Sequence, residues 1–402
     1  MIKKKISIEN KISFKLYGNT KKFSNNYNRV FKEILSNIDN SQNTYNLFSD
    51  TFKLNFNASK LKFFKKFKEI VIIGMGGSVL GSEAIYNFLR KKIKKNLFFL
   101  NNMDADKLIK LKKKNLKKVL FLTISKSGNT LETISNLLAL NIIRKNAKNI
   151  IIISEKKNNF LYFLSQKFNL IFVEHKEFIG GRYSVLSEVG IVPAFLMGLK
   201  IKYFRHDLKK YFKKSNNKIL KESAIKLASL LLKGKYTNLI FLNYSSQLEK
   251  FLYWLQQLIA ESLGKDGKGF LPTISNNPKD HHSLLQLYLD GPKDKIFYIF
   301  SVEEKYDLKL KTNVLRNNLK YLNNKNLNFI KSAQRLALIQ SLKIKKIPFR
   351  EIKIREDDEE SLVELFSYFI LETSIIGKLI GVNPFDQPAV EQVKNSTNKI
   401  LK

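Results

Sequence analysis

The chain contains no cysteine, which removes disulfides, thiolate metal sites, iron–sulfur clusters and cysteine nucleophiles together. Long apolar runs are missing as well. The most apolar region, Leu362 to Val382, is broken by Glu364, Glu372 and Lys378, so it does not read as a membrane span. At the amino terminus, MIKKKISIENKISFKL carries basic residues but no uninterrupted apolar stretch of signal-peptide length. These absences predict a cytoplasmic protein with no membrane partner. Acidic residues are few: 34 Asp and Glu face 72 Lys and Arg, a formal net charge of +38 on 402 residues. Arginine stands at only nine positions, so nearly all the positive charge is lysine. Lys, Asn, Ile and Phe are abundant together, as an A+T-rich coding sequence would yield without selection for binding. The lysines are scattered, neither gathered into a tail nor interleaved with stacking aromatics. We read the charge as a solvated surface and expect no nucleic-acid partner.

What remains is enough to fold. Hydrophobic residues make up 44% of the chain, and at roughly 150 residues per domain the length suggests two or three packed units. Short apolar runs at Glu69–Ile73, Val119–Ile124, Asn149–Ile153 and Leu170–Val173 read as buried strands. Amphipathic stretches at Ser82–Lys91, Leu131–Lys145 and Asn158–Lys167 lie between them. The alternation restarts after a lysine-rich passage near Lys209–Lys221, with strands expected at Leu239–Leu242, Ile296–Phe300 and Phe349–Ile354. Helices are expected there at Ser246–Ser262, Leu308–Leu322, Ser332–Leu342 and Glu359–Leu379. The pattern predicts an α/β protein with two doubly wound parallel sheets and helical terminal segments. The expected division is a polar, partly helical leader over 1–45, α/β domains over 46–205 and 206–375, and a carboxyl-terminal helical segment over 376–402.

Two loops carry the first chemical signal. Gly74-Met75-Gly76-Gly77-Ser78 follows the first strand, where glycines allow a tight turn and the next helix start offers N–H groups to an anion. A dinucleotide fingerprint is the rival, but Val79 stands where its third glycine belongs. A plain strand-to-helix turn is the other alternative. Ser125-Lys126-Ser127-Gly128-Asn129-Thr130 follows the second strand and presents three hydroxyls at a helix start. It suits one phosphate, although Asn129 with Glu132 also has the spacing of ordinary helix capping. Adjacent loops at the carboxyl ends of parallel strands favour a ligand.

Ser125 to Glu132 has the Ser-x-Ser-Gly-x-Thr-x-Glu spacing that resembles the phosphosugar loop of the sugar-isomerase fold, shared by isomerases, amidotransferase sugar domains and sugar-sensing regulators. Further motifs follow in order: Gly180-Gly181-Arg182-Tyr183-Ser184, Glu261-Ser262-Leu263-Gly264-Lys265, Asp280-His281-His282-Ser283, and Asp386-Gln387-Pro388-Ala389-Val390-Glu391-Gln392-Val393-Lys394. Together they resemble the glucose-6-phosphate isomerase family in its compact bacterial form, from about Ile72 to Lys394.

The resemblance implies reversible aldose–ketose isomerisation of glucose 6-phosphate and fructose 6-phosphate through an enediolate. Such chemistry needs a general base, a fixed cation and groups that open the sugar ring, with no metal and no cofactor. The implied base is Glu261, near a helix carboxyl end where an anionic carboxylate is disfavoured. Without its flanking motif, Glu261 would read as a surface glutamate. Arg182 supplies the cation, and a turn salt bridge is its alternative role. His282 exchanges a proton with the ring oxygen and reaches the site from a neighbouring subunit, which implies a homodimer with a shared active site; His281 is expected to point elsewhere. A two-histidine metal site is the rival there, without metal-type spacing to support it. Lys394 lies near the ring oxygen, after Ala389 where the family usually has glycine. The phosphate falls to Ser78, Ser125, Lys126, Ser127 and Thr130, and Gly76, Gly77 and Gly181 shape the substrate loops. A sugar-phosphate-binding regulator without catalysis and an isomerase that also accepts mannose 6-phosphate stay open at this stage.

Overall fold

The computed structural model describes residues 5–12, 20–311 and 317–402. The first sheet is parallel throughout. Its strands are β2 (Glu69–Ile73), β3 (Asn96–Leu100), β4 (Val119–Ile124), β5 (Ile150–Ser154) and β6 (Ile171–Glu174), in the order β3-β2-β4-β5-β6. The second sheet contains β1 (Ile6–Asn10), β7 (Asn238–Asn243), β8 (Leu271–Asn276), β9 (Lys295–Val302) and β10 (Phe349–Ile354), in the order β1-β10-β9-β7-β8. Only β1 runs antiparallel, with Ile6 opposite Ile354 and Asn10 opposite Arg350. The polar leader thus supplies an edge strand to the distant end of the chain as well as the helix Thr20–Asn37.

Period-two alternation divides each strand between two cores. Ile70, Ile72, Leu120 and Leu122 face a central cluster, while Val71, Ile73, Phe121 and Ile152 face an outer one. The second sheet does the same: Phe241 and Tyr298 turn to the central cluster, Leu242 and Ile299 to their own outer layer. The helices Lys214–Lys233, Glu249–Leu263 and Glu359–Leu379 fill the middle and are shared by both sheets. Each sheet is therefore covered on both faces, which explains strands with no polar side. Within the middle layer, Arg350 and Glu372 are both buried; Arg350 Nη1 donates to Glu372 Oε2 at 3.0 Å and to the Tyr298 hydroxyl at 2.8 Å.

Several expectations shift in detail. The helix expected over Leu131–Lys145 stops at Leu140, because Asn141 takes a left-handed conformation (φ 52°) that ends the hydrogen-bond ladder. The lysine-rich passage at Lys209–Lys221 runs into the helix Lys214–Lys233. The helix expected over Leu308–Leu322 falls partly on 312–316, outside the described residues, and its described end is the 3₁₀ turn Asn317–Leu322.

Two topological facts position the site. β2 lies between β3 and β4, so the chain leaves β2 in one direction and returns on its other side. That reversal opens a crevice outside the carboxyl ends of β2 and β4. The helix Glu249–Leu263 then runs from the end of β7 and packs against Leu80–Phe88, the helix that follows β2.

Candidate active site

The two loops at this crevice are built by close approach. A Cβ on Gly77 would lie 2.2 Å from the Gly181 carbonyl carbon, so the Gly76–Ser78 turn and the Gly180–Arg182 turn touch backbone to backbone. Gly76 adopts φ 51°, and a Cβ there would meet Gln257 Nε2 at 2.7 Å. No side chain fits at Gly77 without moving one of the two loops. The glycines Gly76, Gly77 and Gly181 thus bring the carboxyl end of β2, the Arg182 turn and the helix Glu249–Leu263 to one place.

The β4 loop is ordered by its own hydroxyls. Ser125 Oγ and Thr130 Oγ1 are 2.8 Å apart, and Ser127 Oγ accepts from the Asn129 N–H at 3.3 Å. Lys126 Nζ lies 3.6 Å from Glu155 Oε1. Ordinary capping is not what these side chains do. Thr130 occupies the N-cap of Leu131–Leu140 without a side-chain cap hydrogen bond, and Asn129 Oδ1 accepts from the Phe160 N–H at 2.9 Å. Ser78 is half-buried in the neighbouring turn, and Ser127 is exposed. Serine and threonine hydroxyls, a lysine and a helix start without a side-chain cap thus stand together in one loop, a donor set chemically suited to a phosphate.

Arg182 is the most connected polar side chain of the site. Only 3% of the residue is exposed, and its guanidinium donates in five directions. Nε reaches Ser262 Oγ at 2.8 Å. Nη1 reaches Glu261 Oε2 and Gln387 Oε1, each at 3.2 Å. Nη2 reaches the carbonyls of Pro384 at 2.6 Å and Asp386 at 2.9 Å. A planar fork with five N–H groups satisfies this arrangement where a lysine cannot. The Trp254 indole N–H donates to the Arg182 carbonyl at 3.1 Å and fixes the backbone beneath it.

Glu261 sits in the last turn of Glu249–Leu263, with its side chain 31% exposed. One oxygen accepts from Arg182; the other, Oε1, accepts from Gln257 Nε2 at 2.8 Å. Among the described residues, Gln257 Oε1 is buried without a partner, which leaves one acceptor beside the carboxylate. Lys265 joins the adjoining loop to the Asp386 segment through Asp386 Oδ1 at 3.0 Å and the Asn383 carbonyl. Burial pushes the Lys265 ammonium down from its usual range, and Asp386 pulls against that shift.

Gln257, Gln387 and Lys265 were not singled out from the sequence. The signal for Gln257 is its position four residues before Glu261, one helical turn away on the same face. Gln387 and Lys265 come together only through the return of the chain after Leu379.

Two expected residues stand apart. His282 is exposed on the turn Lys279–His282 after β8, whereas His281 is half-buried and its Nε2 lies 2.7 Å from the Tyr244 hydroxyl. The adjacent histidines thus differ in burial. Lys394 lies on the exposed helix Ala389–Ile400, where Nζ contacts Glu391 Oε1 at 2.6 Å. Among the described residues, neither His282 nor Lys394 hydrogen-bonds to the Arg182–Glu261 network. Ala389 opens that helix after Pro388 and is not among the positive-φ residues, so alanine is unstrained there.

Comparison with known proteins agrees with this architecture. The profile of the family described as phosphoglucose isomerase matches residues 28–277. A protein of Methanocaldococcus jannaschii named glucose-6-phosphate isomerase is 33% identical over 364 residues, covering 86% of this chain and 87% of that protein. One of the same name from Mycoplasmopsis synoviae is 32% identical, covering 82% of each. The crystal structure of a hypothetical protein from Thermus thermophilus superposes with a TM-score of 0.83 at 23% identity, over 98% of this chain and 99% of that one. The ordered motifs, the paired sheets and the length of these matches together establish that the chain belongs to the phosphoglucose isomerase family.

Proposed function

We propose that the chain interconverts glucose 6-phosphate and fructose 6-phosphate, a step shared by glycolysis and gluconeogenesis. The observation that carries this is the Glu261 carboxylate held between Arg182 and Gln257 beside the phosphate-type loops. Glu261 removes the proton from C2 of the open-chain aldose and returns it to C1, while a second proton passes between the two oxygens. Arg182 keeps its charge throughout and faces the negative charge that builds on the enediolate. Ser78, Ser125, Lys126, Ser127 and Thr130 hold the phosphate and set the distance from it to C2. Proton transfer of this kind is carried by side chains alone.

Ring opening falls to Lys394 and to His282 of the partner subunit, in a homodimer whose active sites are shared. The exposure of His282, away from Glu261 in its own chain, supports that assignment. The units 46–205 and 206–375 then divide the work, one holding phosphate and the other carrying the base. Among the described residues no helix is long and apolar enough to cross a membrane, and a cytoplasmic sugar-phosphate pool is the proposed setting.

The test is isomerisation in D₂O followed by proton NMR. An enediolate intermediate places solvent deuterium at C2 of recovered glucose 6-phosphate. Turnover with no deuterium incorporated, as in a direct hydride shift, would contradict the proposed path.

A further inference from the structure

Ten of the chain's lysines stand in two short segments that meet at one end of the first sheet. Five fall within residues 60–68 and five within 112–118, the segments that lead into β2 and β4. Between them runs a groove of about 850 Å³ lined by Lys66, Lys68, Lys114, Lys117 and Lys118. Glu69 is the one acidic residue in its lining, and it is occupied by Lys114 Nζ at 2.9 Å. No acidic residue occurs from Lys107 to Lys118. Lys66, Lys68, Lys117 and Lys118 are all exposed. Beside the groove, burial and then the nearby Lys65 charge hold the Lys95 ammonium down at about 8.

Helix ends do not account for this density. The helices Leu80–Phe88 and Ala105–Lys112 finish on this side of the sheet, and each carries only about half a negative charge at its carboxyl end. Two such ends balance about one lysine. The groove is open to solvent, and two of its lysines lie against exposed rings: Phe63 is 47% exposed with Lys66 Nζ 3.6 Å from its ring, and Phe98 is 38% exposed with Lys114 Nζ at 4.1 Å. Flexible point charges without arginine forks suit a phosphate backbone and do not read bases. Exposed rings among them suit unpaired bases.

We infer that this groove, at the amino-terminal ends of β2 and β4, binds a flexible single-stranded phosphate chain without sequence preference. Single-stranded RNA and inorganic polyphosphate share that chemistry. The site lies one strand length, about 17 Å, from the phosphate loops at the opposite ends of β2 and β4, so it is separate from catalysis.

The test is fluorescence anisotropy with a labelled 20-mer of uridine and, in a second arm, labelled polyphosphate, from 50 to 200 mM salt. The quadruple variant K66E/K68E/K117E/K118E is compared with a control of equal charge change, K202E/K320E/K325E/K343E. Groove reversal should weaken one or both phosphate chains at least tenfold and lower the slope of log affinity against log salt by about 0.7 for each phosphate contact removed. The control should change affinity less than threefold, and both variants should keep isomerase turnover, which also shows that they fold. Equal losses in the two variants would reduce the effect to net charge and overturn the inference. So would no binding of either chain at 50 mM salt, or groove-dependent binding confined to phosphatidylglycerol vesicles.

Discussion

Arg182 and Glu261 lie 79 residues apart in sequence and 3.2 Å apart in space, the arginine buried and the glutamate partly open. The buried member is the fixed one. Its guanidinium is tied to Ser262 and to two backbone carbonyls of the 384–386 segment, so only the carboxylate retains freedom to meet a substrate. A permanent cation held beside the base suits a reaction whose C1–C2 centre is neutral in substrate and product and negative only in the enediolate.

Replacing Arg182 by lysine tests the fork rather than the charge. A lysine ammonium cannot reach Ser262, Gln387 and both carbonyls together, so the R182K variant should lose about 10²–10³ in kcat. Steady-state kinetics with glucose 6-phosphate reads this directly. A variant within threefold of the parent would show that the charge alone suffices.

The contact between the two glycine turns makes a separate prediction. In G77A the new methyl would stand 2.2 Å from backbone carbon of Gly181. Because no flexible side chain can give way, the loops must part, at roughly 1–3 kcal/mol of stability. Activity should fall more than urea stability does, since the displaced turn carries Arg182. Measuring both on the same preparation separates the two effects.

His175 should govern part of the acid stability. It is buried, and desolvation holds its ring at about 4, with the Lys176 carbonyl opposing the shift. Its folded pKa therefore lies below the unfolded value near 6.5, and the unfolded chain takes up the proton first. The contribution is intact above pH 6.5 and is lost as pH falls toward 4, at most roughly 3 kcal/mol over that window. Urea midpoints at pH 7, 5.5 and 4.5 should fall less steeply in H175Q than in the parent. Parallel curves would assign the acid limb to other groups.

The parts of this fold that could be read from sequence are those with one dominant physical cause. The boundaries of β2, β4, β10 and the Glu359–Leu379 helix match the expected ones because each is a continuous apolar or strongly patterned segment buried on all sides. β3 and β8 went unread; both are edge strands, as is β6, which its apolar run Leu170–Val173 still announced. In β3, Leu97 and Leu100 are buried while Phe98 is open, and β8 contains Pro272, which only an edge tolerates. β1 pairs with a strand more than three hundred residues away, and no local pattern announces such a partner. In the site, Arg182 and Glu261 stood out through their glycine-flanked motifs. Gln257 reads in sequence as one more polar residue on a helix, and only the approach of Gly76 to its amide sets it apart. Gln387 belongs to the Asp386–Lys394 motif, but its contact with Arg182 depends on the chain reversal after Leu379.

The most direct test of the central claim is kcat for E261Q. Glutamine keeps the shape and can still accept from Arg182, but it cannot take the C2 proton. Binding of glucose 6-phosphate by calorimetry should remain within about tenfold, while kcat in a coupled assay should fall by about 10³ or more. Near-normal turnover by E261Q would remove Glu261 as the base, whatever else the site binds.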